Sequence, residues 1–254
     1  MALSSQHVAT SALPRLRRVM PRAMFTREIL VTLARPRALL IKLAVPLVLT
    51  VPLLAGHAPT FWAGMLLSVL CAITGAIGAA VTTARARESG LLTRLALTPR
   101  PAWRVVASWV AGGALVDAVQ LAPAIVVVLA LSPVSTVDGA VLVLSVLAVL
   151  LLANALGSAV AALGGGPGEV LLDVAIVLAP LLFLGGLFTG VPRDGWRWIV
   201  AQADPFSYLH SAFIAALGGS PAFDAVAILI AAACTALVAL MLPAVFARAV
   251  LRSR

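Results

Sequence analysis

The chain has 254 residues, of which 62% are apolar and only 11% charged, with a mean hydropathy of +1.11. Soluble domains are about half apolar and about a quarter charged, so this composition excludes a soluble globular protein. The net charge of +9 comes from 18 Lys and Arg against 9 acids, and where those charges lie decides between nucleic acid and membrane topology as their cause. In chain order, residues 1–37 come first, carrying Arg15, Arg17, Arg18, Arg22, Arg27, Arg35 and Arg37. Phe25, Ile29 and Leu33 recur at i, i+4 and i+8 with Leu30 beside them, which predicts an interfacial helix stopped by Pro36. A basic leader that only sets topology explains the same residues.

A bilayer core about 30 Å thick takes about 20 apolar residues of helix. Six runs of that kind are predicted as spans, at 38–56, 62–84, 105–131, 138–163, 170–190 and 222–247. The chain therefore divides into a cytoplasmic N-terminal segment (1–37), one six-span membrane domain (38–247) and a short tail (248–254). An even number of spans puts both termini on one side. Fifteen arginines fall there: the seven above, Arg85, Arg87, Arg94, Arg100 and Arg104 between spans two and three, and Arg248, Arg252 and Arg254 in the tail. Only Arg193 and Arg197 lie opposite, and Lys42 sits where it can snorkel to the near interface. Cytoplasmic loops collect Lys and Arg, so both termini are expected in the cytoplasm, and the basicity needs no nucleic acid. The first apolar run is too long for the core of a signal peptide, so no cleavable leader is expected.

Three segments are not spans. Ala84 to Pro101 contains Leu91, Leu92 and Leu95 as a short apolar stripe, closed by Pro99 and Pro101. It reads as a surface helix with exposed leucines, or as a passive loop whose charges keep it out of the bilayer. GGGPGE at 164–169 lacks the Lys and Ser or Thr of a phosphate loop and reads as a tight turn. Phe183 to Pro221 is too polar for a span and too apolar for a free loop. Trp196, Trp198 and Tyr208 suit headgroup depth, which predicts an outer re-entrant helical hairpin or an aromatic anchor for the flanking spans.

Asp117 is the acid deepest in a span, with Gly113, Gln120 and Ala124 on its helix face. An intramembrane carboxyl faces the bundle interior, a partner or a water path. Asn154, at similar depth on the antiparallel fourth span, is its expected hydrogen-bond partner. The pair serves helix packing, a translocation path or proton coupling. Cys71 and Cys234 lie far apart in apolar runs and read as buried residues, and His57 and His210 are expected to face the outer aqueous side. No catalytic, cofactor-binding or metal-ligating spacing is visible, which argues against an enzyme.

Three stretches in this order resemble the membrane-spanning permease subunit of type-2 ABC transporters, a family of bacterial exporters. Arg87, Glu88, Gly90, Leu91, Leu95, Thr98 and Pro99 resemble its acidic-x-Gly-x-x-x-x-Leu-x-x-Thr-Pro pattern after span two. Leu184 to Phe188, then Pro192, Trp196, Pro205 and Tyr208, resemble its Leu-Ser-Gly-Leu-Phe…Pro-x-Trp…Asn-Pro-x-x-Tyr signature after span five. Arg27, Glu28, Leu33, Arg35, Pro36 and Pro46 fit its leading helix and first span. The chain departs from the pattern at Gly185, where Ser is common, and at Asp204, where Asn is usual.

The resemblance implies a dimeric path, formed with a second copy or a similar permease and driven by two copies of a cytoplasmic ATPase that holds the ATP and magnesium. It implies residence in a bacterial inner membrane. It places ATPase coupling on Arg27, Glu28, Arg87, Glu88, Gly90, Leu91, Leu92, Leu95 and Pro99. The outer hairpin would comprise Gly185, Gly186, Pro192, Trp196, Asp204, Pro205 and Tyr208. A stand-alone carrier or a membrane-embedded enzyme is the competing reading, and nothing in the residues names a substrate.

Overall fold

The computed structural model describes residues 36–132, 134–192 and 194–251. The predicted interfacial helix, with Arg27 and Glu28, lies outside the described residues. These fold into helices with no strand: α1 (Pro36–Ala55), α2 (Thr60–Glu88), α3 (Leu91–Ala96), α4 (Ala102–Leu131), α5 (Thr136–Ala161), α6 (Pro167–Leu184), α7 (Gly195–Ala203), α8 (Pro205–Ala216) and α9 (Ala225–Leu251). Five of them, α2, α4, α5, α6 and α9, are long and apolar enough to cross a membrane. The stretch expected as the first of six spans is α1, whose apolar part, Leu40–Ala55, falls short of that length.

Local chemistry sets the ends. Ser135 caps α5 by accepting from the Asp138 N–H (3.1 Å), and Asp224 accepts from the Ala227 N–H (2.7 Å) ahead of α9, which starts three residues later than expected. The fifth span stops at Leu184 rather than near 190. Gly186 there has φ +82°, a left-handed conformation that favours glycine, and a Cβ on it would sit 2.5 Å from the Gly190 carbonyl oxygen. Gly90, at φ +68°, separates α2 from α3 in the same way.

The centre of the fold is the pair α2 and α5, which run parallel. Gly75 faces Ala153, Gly157 faces the backbone of Ala76, and Thr83 meets Ser158 at 3.3 Å. One turn further on, Arg87 donates to the Ala161 carbonyl. Small residues at these crossings let the backbones approach, which replaces the hydrophobic drive that lipid does not supply. Helix α4 runs antiparallel to α5, with Gly113 against Asn154, and α9 packs across both.

Two distinct ends result. At one, Ala86, Leu92, Val105, Val106, Ala247 and Val250 form a common apolar cluster, bringing together the end of α2, α3, the start of α4 and the end of α9. That end carries Arg85, Arg87, Arg94, Arg100, Arg104 and Arg248 and is called the basic end. The other holds α7 and α8 as a helical hairpin, with Arg197 as the one Lys or Arg among the described residues there.

Candidate functional site

At the basic end, α3 is a six-residue helix, and Thr98 Oγ1 donates to the Leu95 carbonyl (2.7 Å) just beyond it. Its leucines were expected to be exposed. Instead Leu92 is 3% exposed and sits in the apolar cluster, with Leu91 and Leu95 half-buried against the same cluster. A helix this short, braced by α4 and α9, gains most by turning its only apolar stripe toward protein. The outward face belongs to Glu88, Arg94, Pro99 and Leu97, the last 83% exposed. Gly90 closes the link to α2, and Glu88 stands beside the 164–166 turn, where a Cβ on Gly166 would lie 3.8 Å from its Oε1. Arg87 is committed to the Ala161 carbonyl.

Between the ends, α1, α2, α4 and α5 enclose a cavity of about 80 Å³, lined by Lys42, Thr82, Trp109, Asp117 and Asn154 around Gly78 and Gly113. Asn154 Nδ2 donates to Asp117 Oδ2 (2.8 Å) and to the Leu150 carbonyl (3.0 Å), which uses both of its hydrogens. Gly113 admits this amide closely: a Cβ there would lie 2.3 Å from Asn154 Oδ1. Trp109 Nε1 donates to Thr83 Oγ1 (3.0 Å), linking the pocket wall to the α2–α5 contact. Gln120 is buried, and its Nε2 meets no acceptor among the described residues. Sequence reasoning paired Asp117 with Asn154 but read Lys42 only as a snorkelling cation and missed Thr82 and Trp109. A lone lysine within an apolar helix was the available signal.

At the hairpin end, Asp204 joins α7 to α8. Its Oδ1 accepts from the Phe206 N–H (3.2 Å), and its Oδ2 lies 3.1 Å from Ser207 Oγ, which donates to the Gly185 carbonyl at 2.7 Å. Burial pushes the Asp204 carboxyl up to about 7, against the opposing pull of the Phe206 and Ser207 backbone N–H donors. Pro205 opens α8 at its first position, where no N–H is needed. Tyr208 Oη donates to the Gln202 carbonyl (3.0 Å), and its ring stacks on Phe223, which also stacks on Trp198. Burial raises the Tyr208 phenol. Pro192 is half-buried and Trp196 is 64% exposed, so the two tryptophans of α7 have different surroundings.

His210 does not face water: it is 1% exposed, its Nε2 lies 3.2 Å from the Phe61 carbonyl, and its ring meets Phe61 edge-on. Burial lowers its pKa against the raising effect of that carbonyl. The small hairpin helix packs on α2 through this contact, which a histidine count cannot show. His57 is exposed. Of the two cysteines, Cys71 is buried, but Cys234 is exposed and lines a cavity of about 350 Å³ with Gln202, Pro205, Tyr208 and Thr235.

Residues 53–245 match the family described as ABC-2 family transporter protein. No curated protein and no solved structure matches the chain. The matched stretch runs from the last turn of α1 into α9, so it covers the α3 corner, the hairpin and the Asp117 pocket except for Lys42. An all-helical multi-pass architecture and a family match over most of its length agree: this chain belongs to the ABC-2 transporter family, as a membrane-embedded permease component.

Proposed function

We propose that the chain is the membrane-spanning subunit of an ATP-driven exporter, working as a dimer with a second copy or a similar permease and driven by two copies of a separate cytoplasmic ATPase. The observation that carries this reading is the basic end: a short helix outside the long helices, braced from within by Leu92, with Glu88, Arg94 and Leu97 outward. Glu88 and Arg94 beside Leu97 offer a protein partner charged contacts and one apolar contact on a single face. The concentration of arginines there supports a cytoplasmic position for this end. With α1 as sixth span, both termini lie on that side, in the inner membrane of a bacterium. The hairpin then caps the path on the outer face, and Asp117, Gln120 and Asn154 line or brace it.

The test is reconstitution. The chain, co-purified with its ATPase into proteoliposomes, should show ATP hydrolysis that responds to Glu88→Ala and Leu97→Asp while insertion stays normal. Purification as a lone monomer that binds no ATPase would overturn the reading. The Lys42–Asp117 pocket favours the competing carrier reading, in which a proton gradient alone drives transport without ATP.

A further inference from the structure

We propose that Asp204 is a proton-binding site: its carboxyl donates to Ser207, which donates to the Gly185 carbonyl, and this relay fastens the start of α8 to the end of α6 until the proton is released to solvent. The argument is a count of hydrogens. A serine hydroxyl has one, a carboxylate has none, and a backbone carbonyl only accepts. Ser207 Oγ lies 2.7 Å from the Gly185 oxygen and 3.1 Å from Asp204 Oδ2. Its one hydrogen goes to the shorter contact, so a hydrogen bond at the longer one requires the hydrogen to be on Asp204. Ionised, the carboxylate would face a hydroxyl oxygen already committed elsewhere, with both residues buried.

Gly185 makes the arrangement possible. A Cβ at that position would lie 1.8 Å from Asp204 Oδ2 and 2.7 Å from Ser207 Oγ. Thus Gly185 and Asp204 are in direct contact. An asparagine at 204 would offer an N–H to Ser207 at any pH, whereas the aspartate offers one only when protonated. The other titratable groups on the neighbouring elements are engaged elsewhere, exposed, or set along helices away from the hairpin. Arg197 on α7 donates to Thr189, Tyr208 on α8 to the Gln202 carbonyl, and His210 contacts the Phe61 carbonyl. Glu169 and Asp173 stand toward the opposite end of α6, Asp194 is exposed ahead of α7, and Asp138 accepts from Ser135 at the start of α5. Asp224 accepts from the Ala227 N–H ahead of α9, whose Cys234 is exposed and whose Arg248 lies at the basic end. On α2, Cys71 is in the buried core, and Arg85, Arg87 and Glu88 are at the basic end. Burial agrees in direction, raising the carboxyl to about 7.

The sign of the linkage follows. Between the ordinary carboxylate range near about 4 and about 7, the folded state holds a proton that the unfolded state has lost, so stability falls as pH rises through that window and levels above it. This inference concerns the purified chain and does not depend on transport. In the Asp117→Asn background, which removes the other buried aspartate, the full chain in detergent should show a protonated-carboxyl infrared band that titrates out near neutrality and is missing once Asp204→Asn is added. The thermal midpoint of that variant should also stay flat across the window. Should Asp204→Asn not fold, the band is followed in Asp117→Asn, where Asp204 remains. Ser207→Ala decides the direction of the relay. Losing an acceptor for the acid's proton shifts the Asp204 titration down by up to about one pH unit. An upward shift means that Ser207 donates to a carboxylate and overturns the proposal, as does no shift or a band that titrates in the ordinary carboxylate range.

Discussion

Replacing Gly157 by Ala adds one methyl where α5 crosses α2. That methyl would stand 2.1 Å from the Ala76 carbonyl oxygen and 2.9 Å from its carbon. Ordinary contact begins near 3.4 Å, so one backbone must withdraw by more than an ångström. Neither has room to yield locally, since α2 is held to α5 at Gly75–Ala153 on one side and at Thr83–Ser158 and Arg87–Ala161 on the other. Overpacking a tight core costs about 1–3 kcal/mol, and a clash against backbone belongs at the top of that range. Gly157→Ala should therefore lose about 3 kcal/mol, on the order of a hundredfold in the folded-to-unfolded ratio. Gly168→Ala is the control: a Cβ there meets nothing within 4 Å, and alanine in a helix is neutral to about 1 kcal/mol better than glycine. Both are measured by reversible unfolding of the purified chain in mixed micelles. A Gly157→Ala variant within about 0.5 kcal/mol of the parent would refute the close crossing.

Three further outcomes follow from the same geometry. Leu92→Ala should destabilise the chain by about 2–5 kcal/mol as a core truncation, whereas Leu97→Asp should leave unfolding unchanged and lower ATPase coupling; normal coupling in the latter would remove the outer face of α3 from the docking surface. Asn154→Ala should cost about 1 kcal/mol, and its double-mutant cycle with Asp117→Asn should show a coupling of about 0.6–1.7 kcal/mol; a value near zero would mean that the pair holds nothing. With exposed Cys234 replaced by Ala, a cysteine at Ser220 should react with an impermeant thiol reagent in intact cells and one at Ser89 should not. Labelling at Ser89 would reverse the orientation.

The long helices were legible because crossing a bilayer imposes a length, and length needs no knowledge of neighbours. The Asp117–Asn154 bond was legible for a related reason, since alternating direction along the chain puts their depths together. What failed was sidedness. Leu91, Leu92 and Leu95 form the same stripe whether they face a partner or the protein's own α4 and α9, and only the tertiary cluster decides. His210 and Cys234 reversed the expected exposures for the same reason: a polar residue went inside because the Phe61 carbonyl was there to meet it, and an apolar-run cysteine stayed on the surface. The fifth span was expected to run past two glycines because hydropathy continues through Leu187 and Phe188. The backbone turns at Gly186 regardless.

The two ends of the molecule are mechanically joined by a single stiff unit. At the basic end α2 is bonded to α5 through Arg87 and Ala161, and along its middle Gly157 meets the Ala76 backbone directly while Gly75 meets the Ala153 methyl. At its opposite end α2 carries the hairpin, because Phe61 holds His210, and a Cβ on Gly64 would lie 3.1 Å from that ring. A force on Glu88 or the α3 corner is thus borne by close backbone contacts along α2 and reaches the hairpin with little loss, since packed interiors shift as units rather than deform. Helix α6 meets the same hairpin by another route, through Gly185, Ser207 and Asp204. Tilting α2 relative to α6 therefore loads the Asp204 junction, and the proton it holds sets how much of that load the junction bears.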